Sequence, residues 1–343
     1  MASQIPIKNI YYLLCYAWNR LEQGAIVDVS RVPTTELVDL FALVLCDGLK
    51  HLARRGLEQG YQLREEELSG VRGRLDIANS VRRFLFMQGR SFCIFDEISA
   101  DTSANRILKA TLKMLLSAQD MDGGLRKRVQ LIYRSLHGIQ DIKLSRNAFG
   151  SVRVTSNSRF YRFLLDVSSL VFESLLVDEA SGSARFRDFT RDDDKMARLF
   201  QSFLFNFIAR ECPQWAVRSE NIKWQATSET DPDLVLLPRM QTDISTTRPG
   251  EYRIIDAKFY RQTLGSYFDA EKIHSANLYQ MTSYLMNAPV VGGSEARGML
   301  IYPRIDRVLR EQYEILGRKI LVCTVNLDAP WRAIDQEIRD LMN

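Results

Sequence analysis

The stretch Pro238–Gln262, PRMQTDISTTRPGEYRIIDAKFYRQ, has the pattern of a β-hairpin that carries ionisable side chains in an apolar and aromatic setting. We place its turn at RPGE, Arg248–Glu251. Antiparallel pairing around that turn puts Asp243 directly opposite Asp256, because both residues are equally far from its centre. The β-carbons of directly opposed residues lie roughly 4.5–5.5 Å apart. The sequence therefore predicts two neighbouring carboxylates on this hairpin.

A lysine joins the two carboxylates. Side chains alternate along a strand, so Asp256 and Lys258 share one face and Ala257 points away. Two close carboxylates repel each other unless a cation lies between them, and hard oxygen ligands suit Mg²⁺ or Mn²⁺. Such a metal can activate water and polarise a phosphoryl oxygen, and a neighbouring lysine can stabilise charge on the phosphate. We therefore predict phosphodiester hydrolysis, with Asp243 and Asp256 as metal ligands and Lys258 as a catalytic residue.

Two other interpretations of these acids remain open. The three groups could form a structural ion-pair cluster on a half-exposed sheet, since such networks also perturb pKa values. The literal Pro-Asp dipeptide ends at Asp233, but that residue lies too far along its strand to face Asp256 across the same hairpin. Asp243 is therefore the better candidate by geometry, and Asp233 is the alternative.

The segment after the hairpin is predicted as a helix over Glu271–Met286, in which His274, Asn277 and Gln280 recur at three-residue spacing. Gln280 could reach the scissile phosphate or a catalytic water, and we count it among the catalytic residues. The alternative is a polar helix face in solvent. The candidates for DNA phosphate contacts flank the site: Arg253, Arg261, Lys272 and His274.

The order of elements around the hairpin is αβββαβ. An amphipathic helix with an acidic start precedes the strands, and a further strand and a closing helix end the chain. The predicted segments are a helix from Asp192 to about Glu211, strands at Trp215–Gln225, Asp233–Thr246 and Glu251–Tyr260, the helix Glu271–Met286, and strands at Arg297–Tyr302 and Lys319–Asn326. This pattern predicts an α/β (α+β) fold.

The chain of 343 residues exceeds the usual size of one core, so we expect two domains, 1–158 and 159–343. The first mixes helices with several short strands or a small barrel between Tyr61 and Ile98. A stretch rich in glycine, serine and charge, from Asp178 to Asp194, marks the approximate boundary region.

Composition narrows the class of protein. An apolar fraction of 46% with 26% charged residues is ordinary for a folded globular chain, and a net charge of +4 neither favours nor excludes nucleic acid. The five cysteines lie far apart with no CxxC pair, which indicates reduced core thiols rather than a zinc site. The N-terminal apolar run IYYLLCYAW is too short for a membrane span and lacks a cleavage pattern. We therefore expect a cytoplasmic protein.

The αβββαβ order with D…DxK resembles the PD-(D/E)xK nuclease superfamily. Nearly the whole chain also resembles the McrC family, the nuclease subunits of McrBC modified-cytosine (type IV) restriction systems. The segments that carry this resemblance are IPIKNIYYLLCYAW, LARRGLE, GVRGRLD, DTSANRILKATL, LPRMQTDI, IIDAKFY, NLYQM, LIYPRID and LVCTVNL. The resemblance places the metal-binding acids on Asp243 and Asp256 and the catalytic lysine on Lys258. Gln201 stands on the helix face where many superfamily members carry a glutamate, so no ligand is assigned there.

The resemblance implies a Mg²⁺-dependent endonuclease subunit that cuts DNA containing methylcytosine in antiviral defence. It also implies a McrB-like AAA+ GTPase hexamer as partner, whose GTPase the first domain stimulates by entering the ring, and dimerisation through the nuclease subunit. The chain has no G-x-x-x-x-G-K-[ST] phosphate loop, so we expect it to bind no nucleotide itself. The alternatives are a non-catalytic adaptor that assembles the ring, or a defence nuclease with a different motor.

Engagement of a ring needs an exposed and partly basic protrusion. The segment Arg64–Phe84, REEELSGVRGRLDIANSVRRF, is our candidate, with glycines that allow a tight turn. The predicted partner-binding residues are Arg72, Gly73, Arg74, Arg82 and Arg83. An ordinary strand pair with solvated arginines is the alternative. In the segment DTSANRILKATLKM, Asn105 and Arg106 are candidates for interface polar groups.

Overall fold

The computed structural model describes residues 5–29, 32, 36–150, 152, 159–177, 184–260, 265–267, 270–291, 293–305 and 307–343. The helices are α1 (Ile7–Ala17), α2 (Leu21–Gly24), α3 (Leu37–Arg55), α4 (Ile77–Arg82), α5 (Ser103–Ser117), α6 (Gly123–Ser135), α7 (Arg146–Gly150), α8 (Arg159–Ser174), α9 (Asp193–Glu211), α10 (Ser275–Asn287) and α11 (Trp331–Met342). The strands are β1 (Gly60–Leu68), β2 (Arg74–Leu75), β3 (Ser91–Ser99), β4 (Leu175–Val177), β5 (Ala184–Phe186), β6 (Ala216–Arg218), β7 (Asn221–Ile222), β8 (Met240–Gln241), β9 (Ile244–Arg248), β10 (Glu251–Ala257), β11 (Gly265–Tyr267), β12 (Ala270–Lys272), β13 (Ala296–Pro303), β14 (Arg310–Ile315) and β15 (Arg318–Val325).

The chain folds into two compact units whose limits differ from the predicted division at residue 158. The discontinuous unit consists of Met1–Arg31 and Asp188–Asn343, and the inserted unit is Val32–Arg187. The first helix belongs to the discontinuous unit because it packs on α9, where the Tyr16 ring centroid lies 5.2 Å from that of Phe207. Asn9 donates to the Leu327 carbonyl at 2.7 Å. Contacts that join residues more than 300 positions apart leave no mark in the local sequence pattern.

The inserted unit combines helices with a small antiparallel sheet of order β1-β3-β2. Its helical core is close-packed: a β-carbon added at Gly48 on α3 would lie 2.5 Å from Leu164 on α8, so the two helices approach closely. Since α8 packs there, residues 159–174 belong to this unit rather than to the second half. The stretch between Tyr61 and Ile98 is thus a three-strand sheet with a short helix, not a small barrel.

The discontinuous unit is built on a six-stranded mixed sheet of order β14-β15-β13-β10-β9-β6. Strands β10, β13 and β15 run parallel to one another, and the outer pairs are antiparallel. The order α9, β6, β9, β10, α10, β13 confirms the predicted αβββαβ arrangement and the mixed α/β class. Strand β14 was not predicted. The predicted strand Asp233–Thr246 is shorter, since Leu234 has a left-handed backbone with φ 53° and pairing begins at Met240.

Helix α10 covers one face of this sheet and begins at Ser275, four residues later than predicted. Its apolar side chains Met281, Tyr284 and Leu285 pack with Tyr252, Ile254 and Leu300 of the central strands. The helix lies close to β13, because a β-carbon at Gly298 would be 2.8 Å from the Met281 side chain. This contact fixes the position of α10 beside the carboxyl end of β10, where the candidate site lies. Across the part of the chain that the structure describes, every helix is too short or too polar to cross a membrane.

Candidate metal-binding and catalytic site

The hairpin register matches the prediction. Strand β10 pairs with β9 from Glu251 opposite Arg248 to Ile255 opposite Ile244, and the next position along that register joins Asp256 with Asp243. Asp243 itself lies just before β9, and its Oδ2 accepts a hydrogen bond from the Ala257 backbone N–H at 3.1 Å. The structure therefore brings the two predicted acids together at the end of the hairpin.

Asp256 is fully buried, with 0% of its surface exposed. Among the described residues neither of its carboxylate oxygens accepts a hydrogen bond. Lys258 Nζ lies 2.9 Å from Asp256 Oδ2 and forms an ion pair with it. A buried carboxylate with unsatisfied oxygens is costly, so this position calls for a further cationic or hydrogen-bonding partner.

Lys258 is held from two sides. Its backbone N–H donates to the Ile301 carbonyl at 2.9 Å, which continues the parallel pairing with β13 past the end of β10. The extended backbone keeps its side chain on the same face as Asp256, as the alternation predicts. On α10, Gln280 Oε1 accepts a hydrogen bond from Lys258 Nζ at 2.9 Å. The structure thus brings all four predicted catalytic residues into one cluster.

The charges of the cluster depend on one another. Burial, followed by the nearby charge of Asp256, raises the pKa of Asp243 to about 7. Burial lowers the pKa of Lys258, but the charges of Asp256 and Asp243 outweigh it and the net shift is upward. At neutral pH the lysine is a cation, and Asp243 is poised between its protonated and charged forms.

The residues fit a hard divalent cation. Asp243 and Asp256 offer carboxylate oxygens on one side of the hairpin, and among the described residues Asp256 Oδ1 has no hydrogen-bond donor. Within the described ranges no cluster of three or more His, Cys, Asp or Glu residues could hold a metal. Two protein carboxylates with the remaining positions filled by water or substrate is how Mg²⁺ is usually bound, whereas a closed all-protein cage would suit Ca²⁺ or Zn²⁺.

Sequence reasoning missed Tyr284. Its hydroxyl accepts a hydrogen bond from Gln280 Nε2 at 2.8 Å and donates one to the Gln241 carbonyl at 2.9 Å. A signal was present, since positions 280 and 284 are four apart and therefore lie on one face of a helix. Asn277 also faces inward, donating to the Tyr302 hydroxyl at 2.9 Å, whereas Tyr279 is 73% exposed. The polar positions of α10 are therefore not a solvated face.

The predicted DNA contacts are placed differently from one another. Arg253 points to the opposite face of the sheet from Asp256, and the interpretation of Arg253 as a phosphate contact beside the site is wrong. Its guanidinium donates to Glu251 Oε1 at 2.6 Å and to the Met342 carbonyl at 3.2 Å, and lies over the Trp215 ring. The alternation of side chains along β10, with Asp256 three positions away, accounts for this placement.

Three other candidates lie near α10 or outside the described residues. His274 is the N-cap residue of α10, its ring stacks on Tyr260 at 4.3 Å, and its buried Nε2 atom has no hydrogen bond among the described residues. Lys272 is an exposed residue at the end of β12. Arg261 lies outside the described residues. The alternative acid, Asp233, is exposed and belongs to no strand.

The predicted partner-binding arginines lie around the small sheet of the inserted unit, and several are already paired. Arg72 lies over the Phe95 ring at 4.2 Å, and Arg83 pairs with Glu67 at 2.9 Å. Gly73 has φ 67°, and an added β-carbon would lie 2.6 Å from the Ile94 carbonyl oxygen, so a glycine is required there. Arg74 and Arg82 are exposed.

Large apolar side chains are exposed beside these arginines, which the sequence did not indicate. Phe84, Phe86 and Met87 are 69%, 48% and 87% exposed, while Leu85 between them is buried. We call Phe84, Phe86 and Met87 the apolar tip. Exposed apolar groups of this size in one short segment are typical of an interaction surface.

The interpretation of Asn105 as an interface residue is wrong. Asn105 is 2% exposed, and its amide nitrogen donates to the carbonyls of Glu58 and Ala100. Its carbonyl oxygen accepts from the Tyr161 hydroxyl at 3.0 Å. Arg106 forms two hydrogen bonds of 2.7 Å with Asp101 in the same unit. The segment DTSANRILKATL therefore begins a helix and joins elements of the core.

Comparison with known proteins gives consistent matches along the chain. Residues 8–303 match the family described as McrBC 5-methylcytosine restriction system component. The chain is 36% identical over 339 residues, 99% of its length and 97% of the relative, to the type IV methyl-directed restriction enzyme EcoKMcrBC of Escherichia coli strain K12. It also resembles, with a TM-score of 0.63 and 19% identity over 98% of this chain and 76% of the other, a chain of the refined half-complex from the tetradecameric assembly of Thermococcus gammatolerans McrB AAA+ hexamers with bound McrC.

The structural likeness shows the fold, and the sequence matches show the class: the chain is a component of a restriction system. More narrowly, it belongs to the family of McrBC 5-methylcytosine restriction system components.

Proposed function

We propose that this chain is the nuclease subunit of its restriction system and cleaves DNA by Mg²⁺-dependent phosphodiester hydrolysis. The observation that carries the proposal is the convergence of Asp243, Asp256 and Lys258 at the end of one hairpin, where Asp256 is fully buried and, among the described residues, its Oδ1 has no hydrogen-bond donor. The ion pair with Lys258 neutralises Oδ2, but within the described residues it leaves Oδ1 without a hydrogen-bond donor. A metal ion would be a partner for that oxygen.

The residues divide the chemistry between them. Asp243 and Asp256 would hold the metal, and the Ala257 N–H orients the Asp243 carboxylate toward the site. The bound ion would supply Lewis acidity and a water of lowered pKa. Lys258, held between Asp256 and Gln280, presents a positive charge that stabilises the negative charge developing on the phosphate.

DNA would approach where Lys258, just past the end of β10, meets Gln280 of α10. His274, at the start of this helix, is the proposed phosphate contact next to the site, and its buried Nε2, which has no hydrogen bond among the described residues, must turn outward to reach DNA. Such contacts position the duplex and do not read its sequence. We therefore assign the recognition of methylcytosine to a partner chain.

We further propose that the partner is a McrB-like AAA+ GTPase hexamer, whose GTPase this chain stimulates, and that two nuclease subunits act together on the two strands. The family and the relative bound to McrB hexamers support the partner. The apolar tip and the exposed Arg74 and Arg82 of the inserted unit offer a surface for it. The adaptor function is thereby a second role of the same chain.

Asp256→Asn tests the nuclease proposal. The full chain, co-expressed with its AAA+ partner, is assayed with GTP and Mg²⁺ on methylated and unmethylated duplexes, and Asp233→Asn serves as control because Asp233 is an exposed aspartate outside the site. We expect D256N to lose cleavage at least about a thousandfold and to keep GTPase stimulation, while D233N cuts normally. Normal cleavage by D256N would leave the non-catalytic adaptor as the function.

A further inference from the structure

The hydrogen bonds that lead from Lys258 to β8 have a fixed direction. The Gln241 backbone carbonyl can only accept a hydrogen bond, so the Tyr284 hydroxyl must donate its single proton to it, at 2.9 Å. The hydroxyl oxygen can then only accept from Gln280, at 2.8 Å, which requires the amide nitrogen of Gln280 to face Tyr284. The amide oxygen of Gln280 is thereby turned toward Lys258, whose ammonium group can only donate.

On this basis we infer that Tyr284 is a positioning residue, which locks the side-chain amide of Gln280 in the one orientation that accepts from Lys258. The inference rests on the proposed nuclease function and names a residue that acts on the same site without touching the substrate. Without the hydroxyl, the Gln280 amide is free to rotate by 180°, which would present an NH₂ group to an ammonium ion. That arrangement removes one partner of Lys258 and repels it.

The surroundings of Tyr284 suit a fixed support. The residue is 6% exposed, and its ring packs in the core between α10 and the sheet. Met281 on the same helix sits against Gly298, so α10 has little freedom to slide along β13. Gln241, whose carbonyl begins the chain of hydrogen bonds, lies two residues before Asp243. The orientation of Gln280 is therefore tied to the backbone of β8, two residues before the first proposed metal ligand.

Gln280→Glu distinguishes an effect of Tyr284 on the orientation of the Gln280 amide from an effect on stability. Both oxygens of a carboxylate accept hydrogen bonds, so Q280E faces Lys258 with an acceptor whichever way it rotates. Tyr284→Phe should therefore matter in the Gln280 protein and matter little in the Q280E protein. A role of Tyr284 in stability alone predicts the same loss in both backgrounds, because the same hydroxyl is removed from the same core.

The experiment is a double-mutant cycle on the full chain in complex with its AAA+ partner, measured as single-turnover DNA cleavage with Mg²⁺ and GTP. We expect Y284F to lower the cleavage rate about tenfold to a hundredfold with the KM for DNA unchanged, and to change the rate of Q280E by less than about twofold. Tyr279→Phe is the matched control, since Tyr279 lies on the same helix and is 73% exposed. Gln280→Met, which has no amide, should lose at least as much activity as Y284F.

Equal losses from Y284F in both backgrounds, no loss in the Gln280 protein, or a smaller loss for Q280M than for Y284F would each overturn the inference. Any general weakening of the fold by Y284F cancels between the two backgrounds, and thermal unfolding of each variant checks this. Failure of the nuclease proposal has a different signature, because there D256N cuts DNA as well as the wild-type chain does.

Discussion

Asp243 accepts a hydrogen bond from the backbone N–H of Ala257, the residue between Asp256 and Lys258, at 3.1 Å. The first acid of the site is thus tied by its side chain to the strand that carries the other acid and the lysine. Because the bond is made to main chain, substitutions of the neighbouring side chains leave it in place. The carboxylates stay together despite their repulsion. This repulsion, together with burial, raises the pKa of Asp243.

The raised pKa of Asp243 predicts how the stability difference between Asp243→Asn and the wild-type chain depends on pH. The pKa of Asp243 is about 7 in the folded protein, above its ordinary value of 3.8, so the charged carboxylate destabilises the folded state. As pH rises from about 4 to about 7, the wild-type chain without metal should lose stability that D243N keeps. In EDTA we expect D243N to have the higher Tm at pH 8 and no advantage at pH 4, measured by thermal unfolding.

Added Mg²⁺ or Mn²⁺ should reverse the order at pH 8, because the ion stabilises the wild-type folded state and D243N has lost a ligand. Asp233→Asn provides the control at an exposed position. A D243N protein that is less stable than wild type in EDTA at pH 8 would show that the carboxylates do not repel each other in the folded chain.

The hairpin and its chemistry could be predicted because both depend on local rules. Counting outward from Arg248–Glu251 pairs Asp243 with Asp256, and the alternation of a strand puts Lys258 beside Asp256. The same counting could have shown that Arg253 points to the other face. What failed depended on packing between distant segments: α1 belongs with α9, and α8 belongs with α3 and α5. No local pattern records which buried face meets which.

The function of Tyr284 could not be predicted from the sequence. Its spacing from Gln280 is visible in the sequence, but its function depends on the Gln241 backbone carbonyl, a group that every residue carries. Backbone partners carry no residue-specific signal. The exposed apolar tip was missed for a related reason, since Phe84 and Met87 are residues that sequence reasoning assigns to a core.

The second prediction concerns the core of the inserted unit. Asn105→Ala removes an amide that bonds the Glu58 and Ala100 carbonyls and the Tyr161 hydroxyl, and leaves these groups buried without that partner. We expect a loss of about 2–3 kcal/mol in the free energy of unfolding, measured by urea denaturation. Asn147→Ala, at an exposed position of α7, should change it by less than about 0.5 kcal/mol. Equal effects would contradict a structural role for Asn105.

The third prediction separates apolar from basic contributions to partner binding. Phe86→Ser with Met87→Ser removes two exposed apolar side chains without touching buried Leu85. We expect this double variant to weaken association with the AAA+ partner at least about tenfold, measured by light scattering or interferometry at two salt concentrations. The loss should be insensitive to salt, whereas that of Arg74→Glu with Arg82→Glu should grow as salt is lowered.

Leu131→Ser is the control for this comparison, because Leu131 is 67% exposed on α6 of the same unit and lies outside the apolar tip. Association as weak in L131S as in the double variant would show that any exposed apolar residue of this unit has the same effect. Normal association of the F86S/M87S protein would remove the apolar tip from the partner surface and leave the arginines as candidates.

The last prediction distinguishes the two residues first grouped as phosphate contacts. Arg253 has only 12% of its side chain exposed, and Arg253→Ala removes hydrogen bonds to Glu251 and to two carbonyls at the end of α11. We expect R253A to lower the free energy of unfolding by about 2 kcal/mol. The folded R253A protein should bind DNA with the same affinity as the wild-type chain. His274→Ala should lower DNA affinity and cost less stability than R253A, because it removes the stacking on Tyr260 but no hydrogen bond of Nε2 among the described residues.

For H274A we expect DNA affinity to fall about three- to tenfold, as loss of one phosphate contact would produce. Fluorescence anisotropy with a labelled duplex measures affinity, and thermal unfolding of the same samples measures stability. If R253A weakened DNA binding without loss of stability, the guanidinium would have to leave Glu251 and Trp215 when DNA binds, which the hydrogen bonds and stacking of the present structure oppose.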